Sequence, residues 1–216
     1  MTKWSLLLLV GMLAAPTAFG QNNEPTRYEF YGGYAYQRAN NNADTFDRNG
    51  RATLTAGGAV LLVDLAQHPE NYHGFTAEFN QNVTRHIGLV TSVTGTYSKA
   101  PYTSAITGNQ LSASASRYDV MFGPRYNLRM GTFTPFGEAL FGFEHMRVKF
   151  DPQLSNSPKS DTAFAMAFGG GLDVHISEHF DVRAIQADYV PTFYNGTSQP
   201  NYRVGAGLKV KFGQDP

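Results

Sequence analysis

YRVGAGLKVKF, residues 202–212, reads as one β-strand with two different faces. Tyr202, Val204, Ala206, Leu208, Val210 and Phe212 fall on one side, and Arg203, Gly205, Gly207, Lys209 and Lys211 on the other. Strict alternation is the signature of a strand whose two sides meet different surroundings. A helix would scatter these residues around its axis. The question is then what lies against the apolar side.

The same period recurs upstream. Phe164, Met166, Phe168, Leu172 and Val174 oppose Ala163, Ala165, Ala167, Gly169, Gly171, Asp173 and His175. Tyr118, Val120, Phe122, Pro124 and Tyr126 oppose Arg117, Asp119, Met121, Gly123 and Arg125. Pro124 cannot donate to a ladder and implies a bulge or a missing bond there. Eight strands are expected at 27–38, 73–83, 87–98, 114–127, 134–149, 162–176, 180–192 and 201–212. The spacing leaves the faces of 134–149 unassigned. In 180–192, Phe180, Val182 and Ala184 share a parity with Gln186 and Asp188, which points to a bulge.

The connections alternate in length. The long ones are 39–72, 99–113, 150–161 and 193–200. The short ones are Thr84-Arg85-His86, Leu128 to Phe133 and Ser177-Glu178-His179. Transmembrane barrels show this asymmetry, with tight turns on the periplasmic side and longer loops outside. The long connections carry turn residues, among them Asn40-Asn41-Asn42, Asp151-Pro152, Asn156-Ser157-Pro158 and Asn195-Gly196. Two of the short turns nearly repeat, Val83-Thr84-Arg85-His86-Ile87 and Ile176-Ser177-Glu178-His179-Phe180.

Composition agrees with a membrane strand protein. Charged residues make up 16% and aromatics 13%, while mean hydropathy is −0.31. That is too polar for a bundle of membrane helices, and too poorly charged for an ordinary soluble protein at about 25%. Net charge is zero, so no basic surface calls for nucleic acid. With no cysteine, a disulfide scaffold, a thiolate zinc site and a lipidated N-terminal Cys are excluded. The N-terminus reads as a cleavable signal peptide over 1–20. Lys3 supplies the charge, Leu6 to Ala15 the apolar run, and Ala18-Phe19-Gly20 the cleavage site, leaving residues 21–216 as the barrel domain.

Hydrocarbon offers the backbone no hydrogen-bond partner, so strands with a lipid-facing side must close into a barrel. Eight strands enclose an interior that side chains can fill. Inward glycines at 88, 123, 169, 171, 205 and 207 would give larger neighbours room. The inward polar candidates are Glu78, Arg117, Asp119, Arg125, Glu138, Asp173, Asp188, Arg203 and Lys209, with Glu138 the weakest because its strand has no assigned faces. Both signs occur, so a salt-bridge network in the lumen is expected, since a lone buried charge is costly. Tyr28, Tyr31, Tyr97, Tyr126, Phe133, Phe150, Phe180, Tyr189, Tyr202 and Phe212 are placed in the interfacial girdles.

Other motifs carry less. His175 and Ser177 are two apart, as a nucleophile and its base could be, but they flank a short turn at the periplasmic end, and no catalytic residue is expected. His175 and His179 have helical zinc spacing across a turn, and His68 and His73 lie in or beside the first loop, so no metal is expected. Gly32-Gly33 and Gly169-Gly170-Gly171 lack the Lys-Ser/Thr of a phosphate loop, and no cofactor is expected. Ala59-Val60-Leu61-Leu62-Val63 reads as a short element extending the first hairpin beyond the membrane.

YEFYGGYAYQR at Tyr28–Arg38, GFTAEFNQNVTRHIGLVTSVTG at Gly74–Gly95, IQADY at Ile185–Tyr189 and the closing YRVGAGLKVKF resemble the OmpA/OmpX-like eight-stranded barrels. The resemblance covers nearly all of the chain after the signal. It implies an all-β, closed antiparallel up-and-down barrel in the Gram-negative outer membrane, in contact with lipid and lipopolysaccharide, and folded by the barrel-assembly machinery. It identifies Tyr202, Val204, Leu208, Val210 and Phe212 as the assembly-signal strand, although Gly213 to Pro216 follow the final aromatic. OmpA's periplasmic peptidoglycan-binding domain has no counterpart here, so that role is not expected. The expected function is a non-enzymatic structural or surface-interaction role. The alternatives are a narrow passive channel and, third, a lipid-modifying barrel enzyme. A closed barrel has no edge that demands a partner, so a monomer is expected.

Overall fold

A computed structural model describes residues 26–39, 51–56, 59–64, 70–103, 110–151, 159–194 and 197–213. The segment expected to be a signal peptide, its expected cleavage site and His68 lie outside them. Ten strands form: β1 Tyr28–Ala39, β2 Arg51–Ala56, β3 Ala59–Asp64, β4 Glu70–Asn82, β5 Ile87–Thr103, β6 Gln110–Asn127, β7 Phe133–Asp151, β8 Lys159–His175, β9 Phe180–Tyr194 and β10 Thr197–Phe212. Eight of them close into one antiparallel barrel in the order β1-β10-β9-β8-β7-β6-β5-β4, with β4 pairing back to β1. Residues 59–64 belong to an extra hairpin, in which β2 and β3 pair only with each other.

The register sets the size of the barrel. Followed once around from Gln37 through Arg203, Asp188, Gly169, Glu138, Arg125, Gly88 and Asn82, it returns to β1 at Arg27, ten residues below its start. With eight strands, that offset tilts them by about 40° to the barrel axis. Eight strands at that tilt enclose an interior that side chains can fill.

Most strands run further than their alternation indicates, chiefly at the loop end. β5 reaches Thr103, β6 begins at Gln110, β7 reaches Asp151 and β8 begins at Lys159. The expected long connections shrink accordingly, and only residues 195–196 separate β9 from β10 where 193–200 was expected to be loop. Ser112 and Ser114 read as loop because the serines occupy the outward parity there, while the small apolar residues Ala113 and Ala115 take the other.

The repeated turns share one geometry. Thr84 Oγ1 accepts from Ile87 N–H at 3.0 Å, and Ser177 Oγ accepts from Phe180 N–H at 3.2 Å. In the first the side-chain oxygen stands in for a backbone acceptor, and in the second it shares the Phe180 N–H with the Ser177 carbonyl at 3.3 Å. The third turn uses Gly131 at φ 60°, where a side chain would be strained.

The apolar residues point outward. Phe122, Phe141, Phe143 and Leu208 are 44–61% exposed, values that a water-soluble core would never show for a whole belt of aromatics. Tyr202, Val204, Val210 and Phe212 share that outer face. The β6–β7 ladder lapses at Gly123 and Pro124 and resumes in the same register at Arg125, so the proline costs a local bond and makes no bulge. β9 does bulge. Ala184 and Ile185 both face outward, which puts Asp181 and Arg183 inside below the bulge and Gln186, Asp188, Val190 and Thr192 inside above it.

Candidate functional site: the charged lumen

Every strand of the barrel delivers its inward parity to one enclosed column. Glu78, Arg117, Asp119, Arg125, Glu138, Asp173, Asp188, Arg203 and Lys209 all lie buried in it. Their ion pairs fall into three tiers.

At the turn end, Lys209 Nζ sits 2.9 Å from both Asp173 and Asp181 and 3.3 Å from Glu29. Lys211 adds a bond to Asp181 at 2.8 Å. Asn82 donates to Glu29 at 2.8 Å and to the carbonyl of Thr26 at 2.7 Å, which ties the start of β1 to the end of β4.

The middle tier is the densest. Glu78 Oε2 accepts from Arg125 Nη2 at 2.6 Å and Arg183 Nη1 at 2.7 Å. Arg125 also pairs with Glu138, and Arg183 with Asp173 at 2.8 Å. Gln186 donates to Glu78 at 3.1 Å, Glu138 at 2.8 Å and Asp188 at 3.1 Å. Two aromatic rings sandwich this cluster: the Arg183 guanidinium lies 4.0 Å from the Tyr31 ring centre and 4.4 Å from that of Phe136, which also carries Arg125 at 4.4 Å. Such stacking is favourable for a desolvated guanidinium. Gly33 and Gly171 make the rings fit, since a Cβ would collide with Tyr31 at the first and come within 2.8 Å of Phe136 at the second.

The upper tier joins Arg203 to Asp188 at 3.0 Å and to Asp119 at 3.2 Å. Arg117 reaches Glu144 at 3.4 Å and Gln199 at 2.9 Å, and its guanidinium lies 5.1 Å from the Tyr72 ring centre. Tyr194 donates to Glu144 at 2.8 Å. Apolar side chains fill the gaps between the tiers, with Val90, Met121, Leu140, Ala165, Ala167 and Val190 forming one cluster.

Several members escape sequence reasoning. Arg183 and Asp181 are hidden by the bulge, which reverses the parity of β9. Glu144 lies on β7, where aromatics on both faces (Phe136 inside, Phe141 and Phe143 outside) blur the pattern. Tyr31 is corrected: it is 2% exposed and lines the lumen instead of the girdle. The neighbouring Glu29 carries the missed signal, since it shares the parity of Tyr31 and stands opposite Lys211. The side chain of Phe150 lies outside the described residues.

The other candidate motifs take ordinary places. His175 Nδ1 meets Asp181 at 3.0 Å and Lys211 at 2.8 Å, while Ser177 Oγ caps its own turn. His73 stands on the outer wall against Tyr34 and Tyr36. The column is thus a set of compensated charges with no nucleophile held by a base among the bonds described.

Comparison with known proteins agrees with this architecture. No curated protein sequence matches the chain. Among solved structures, the attachment invasion locus protein Ail of Yersinia pestis, in complex with the heparin analogue sucrose octasulfate, is 18% identical over 84% of this chain and 97% of that one, with a TM-score of 0.50. Neisserial surface protein A is 11% identical over 87% and 98%, with a TM-score of 0.56. The outer membrane protein OprG of Pseudomonas aeruginosa is 12% identical over 89% and 100%, with a TM-score of 0.53. At these identities the likeness is one of fold. The family model for the outer membrane protein beta-barrel domain matches residues 5–212, and the chain is accordingly a member of that family, an eight-stranded barrel of the outer membrane.

Proposed function

We propose that this protein is a filled, non-conducting and non-enzymatic barrel, and that its role is structural or one of surface interaction. The carrying observation is the middle tier. Glu78, Arg125 and Arg183 cross the lumen between the Tyr31 and Phe136 rings, and each charge is held by an opposite one. Mobile ions would have to displace bonds whose partners are otherwise buried and unpaired, which is expensive. The lumen charges act as a plug in this reading, and the parts free to meet the outside are the loop-end strands and the β2–β3 hairpin. Strand ends that rise past the lipid belt suit a surface role, because they hold the connections clear of the membrane on a stiff sheet.

Planar-bilayer recording of the refolded mature chain tests this. The expected result is no steady conductance. A stable open level would overturn the plug and favour a passive channel.

A further inference from the structure

The three tiers of the lumen do not balance alike. At the turn end, Glu29, Asp173 and Asp181 are matched by Lys209, Lys211 and Arg129. In the middle, Glu78 and Glu138 are matched by Arg125 and Arg183. The upper tier sets three acids, Asp119, Glu144 and Asp188, against two bases, Arg117 and Arg203. All five are at most 3% exposed, so one negative charge is sealed in the barrel without a counterpart among the described residues. A carboxylate buried without a partner is too costly to persist, and such a group neutralises instead.

The surplus falls at one place. Asp119 on β6 and Glu144 on β7 stand directly opposite each other in the ladder, and both face inward. Opposed side chains on one face start about 4.5–5.5 Å apart at Cβ, so their carboxyl groups can meet. Each gives one oxygen to a donor elsewhere. Asp119 Oδ2 accepts from Arg203 Nη1 at 3.2 Å, while Glu144 Oε1 accepts from Tyr194 at 2.8 Å and lies 3.4 Å from Arg117 Nε. The other two oxygens, Asp119 Oδ1 and Glu144 Oε2, are buried and accept from no donor. Asp188 has no such neighbour, since its ladder partners are Arg203 and Gly169.

The surroundings of the pair supply no further base. β5 presents Thr94 and Thr96, and β8 presents Ala163 beside Glu144. Asp161, half-buried one inward row higher on β8, is an acid whose Oδ1 is taken by Thr162 N–H. Across the lumen the ionisable groups are Tyr72, Tyr194, Asp188 and Arg203.

We infer that Asp119 and Glu144 hold a single proton between them in the folded barrel at neutral pH, with the Asp119 carboxyl donating to Glu144 Oε2. Glu144 is the better anion of the two, because a hydroxyl and a guanidinium both serve it. Two carboxyl groups held together do not both ionise, owing to their repulsion, and the proton belongs to the pair. It cancels the surplus charge and gives both free oxygens a partner. The upper tier is thereby the part of the lumen that responds to rising pH.

Infrared spectra of the refolded protein in lipid vesicles test this at neutral pH. The wild type is expected to show a protonated-carboxyl band that shifts on isotopic labelling of aspartate. That band should be absent from D119N and from E144Q, either of which brings the tier into balance. In D119N the amide donates to Glu144 as the carboxyl does. Its unfolding constant in urea at neutral pH is therefore expected to lie within about threefold of wild type, the size of a change that breaks no buried pair. Were Asp119 an anion paired with Arg203, the same change would raise that constant at least about a hundredfold. From mildly acidic to mildly alkaline pH, the unfolding constant of the wild type should rise relative to D119N by up to about tenfold per pH unit, because the folded barrel holds a proton that the unfolded chain has released. Histidine titrations are common to both proteins and cancel. E144Q gives the same pH comparison should D119N fold poorly. A wild type without the aspartate carboxyl band would overturn the assignment. So would a hundredfold loss in D119N, a wild-type pH profile parallel to those of the variants, or a stability that follows sodium concentration and not pH, which would put a metal cation between the two oxygens.

Discussion

Glu78 and Arg183 meet inside the barrel at 2.7 Å, although they lie on β4 and β9 and are separated around the wall by β1 and β10. Their contact crosses the lumen instead of following the sheet, and Arg125 reaches the same Glu78 oxygen from β6 at 2.6 Å. One carboxylate thus ties together three strands that share no ladder.

Removing that carboxylate leaves two buried guanidinium groups each short of a partner. Glu78→Ala is expected to destabilise the barrel by about 3 kcal/mol, the low end for a broken buried pair, because Glu138 and Asp173 still hold Arg125 and Arg183. Urea unfolding from lipid vesicles measures it. A loss below about 0.5 kcal/mol, the size expected of a surface change, would mean the cluster is solvated and the lumen wet.

The two rings that sandwich the cluster narrow the passage. Tyr31→Ala with Phe136→Ala removes both and frees the Arg183 guanidinium from its stacking positions. Conductance in a planar bilayer is expected to rise from none to a measurable open level. A double variant as silent as the wild type would move the constriction to another tier.

The β9 bulge makes an unusual deletion tolerable. Ala184 and Ile185 both face out, so deleting Ala184 restores plain alternation and keeps both Arg183 and Gln186 inside. Deleting Ala187 instead turns Asp188, Val190 and Thr192 toward lipid, since a one-residue slip exchanges faces. The first variant is expected to refold and to shift on a gel when heated, as closed barrels do, and the second to fail. Equal behaviour of the two would place the parity change elsewhere.

The outer face is tested by a charge. Phe122→Arg, midway between Tyr118 and Tyr126 on β6 and 53% exposed, is expected to cost about 2–4 kcal/mol in a bilayer, the range for a basic residue near the membrane midplane. The same substitution at Ser114, above the aromatic edge, should cost less than about 1 kcal/mol, as near an interface. Reversed magnitudes in vesicle unfolding would contradict the assigned lipid belt.

The β2–β3 hairpin pairs with nothing in the barrel ladder. Replacing residues 40–69 with a short Gly/Ser linker is therefore expected to leave barrel stability within about 0.5 kcal/mol of wild type, the range of changes away from packed features. Any surface-interaction activity that depends on this loop should disappear while the fold remains.

Period-2 alternation made the barrel legible in the sequence. It sets the faces of β6, β8 and β10, where Arg117, Arg125, Asp173 and Lys209 take the polar side, and leaves those of β1 unread, so that Tyr31 is expected in a girdle. It failed where alternation is interrupted or absent. The bulge concealed Arg183, the mixed aromatics of β7 concealed Glu144, and the polar strand ends beyond the lipid belt read as loop.

Alternation is a local property, dictated by the demand that each strand present grease to lipid and polarity to the lumen, so the sequence by itself determined the number of barrel strands, their closure and, where alternation is unbroken, the lipid-facing side. Pairing across the lumen is not local. Which acid meets which base, and whether Tyr31 stacks on a guanidinium or joins a girdle, depends on the tilt and stagger that bring residues far apart in the chain to one height. Only the tertiary structure decided those, because the offset accumulates strand by strand and no single segment contains it.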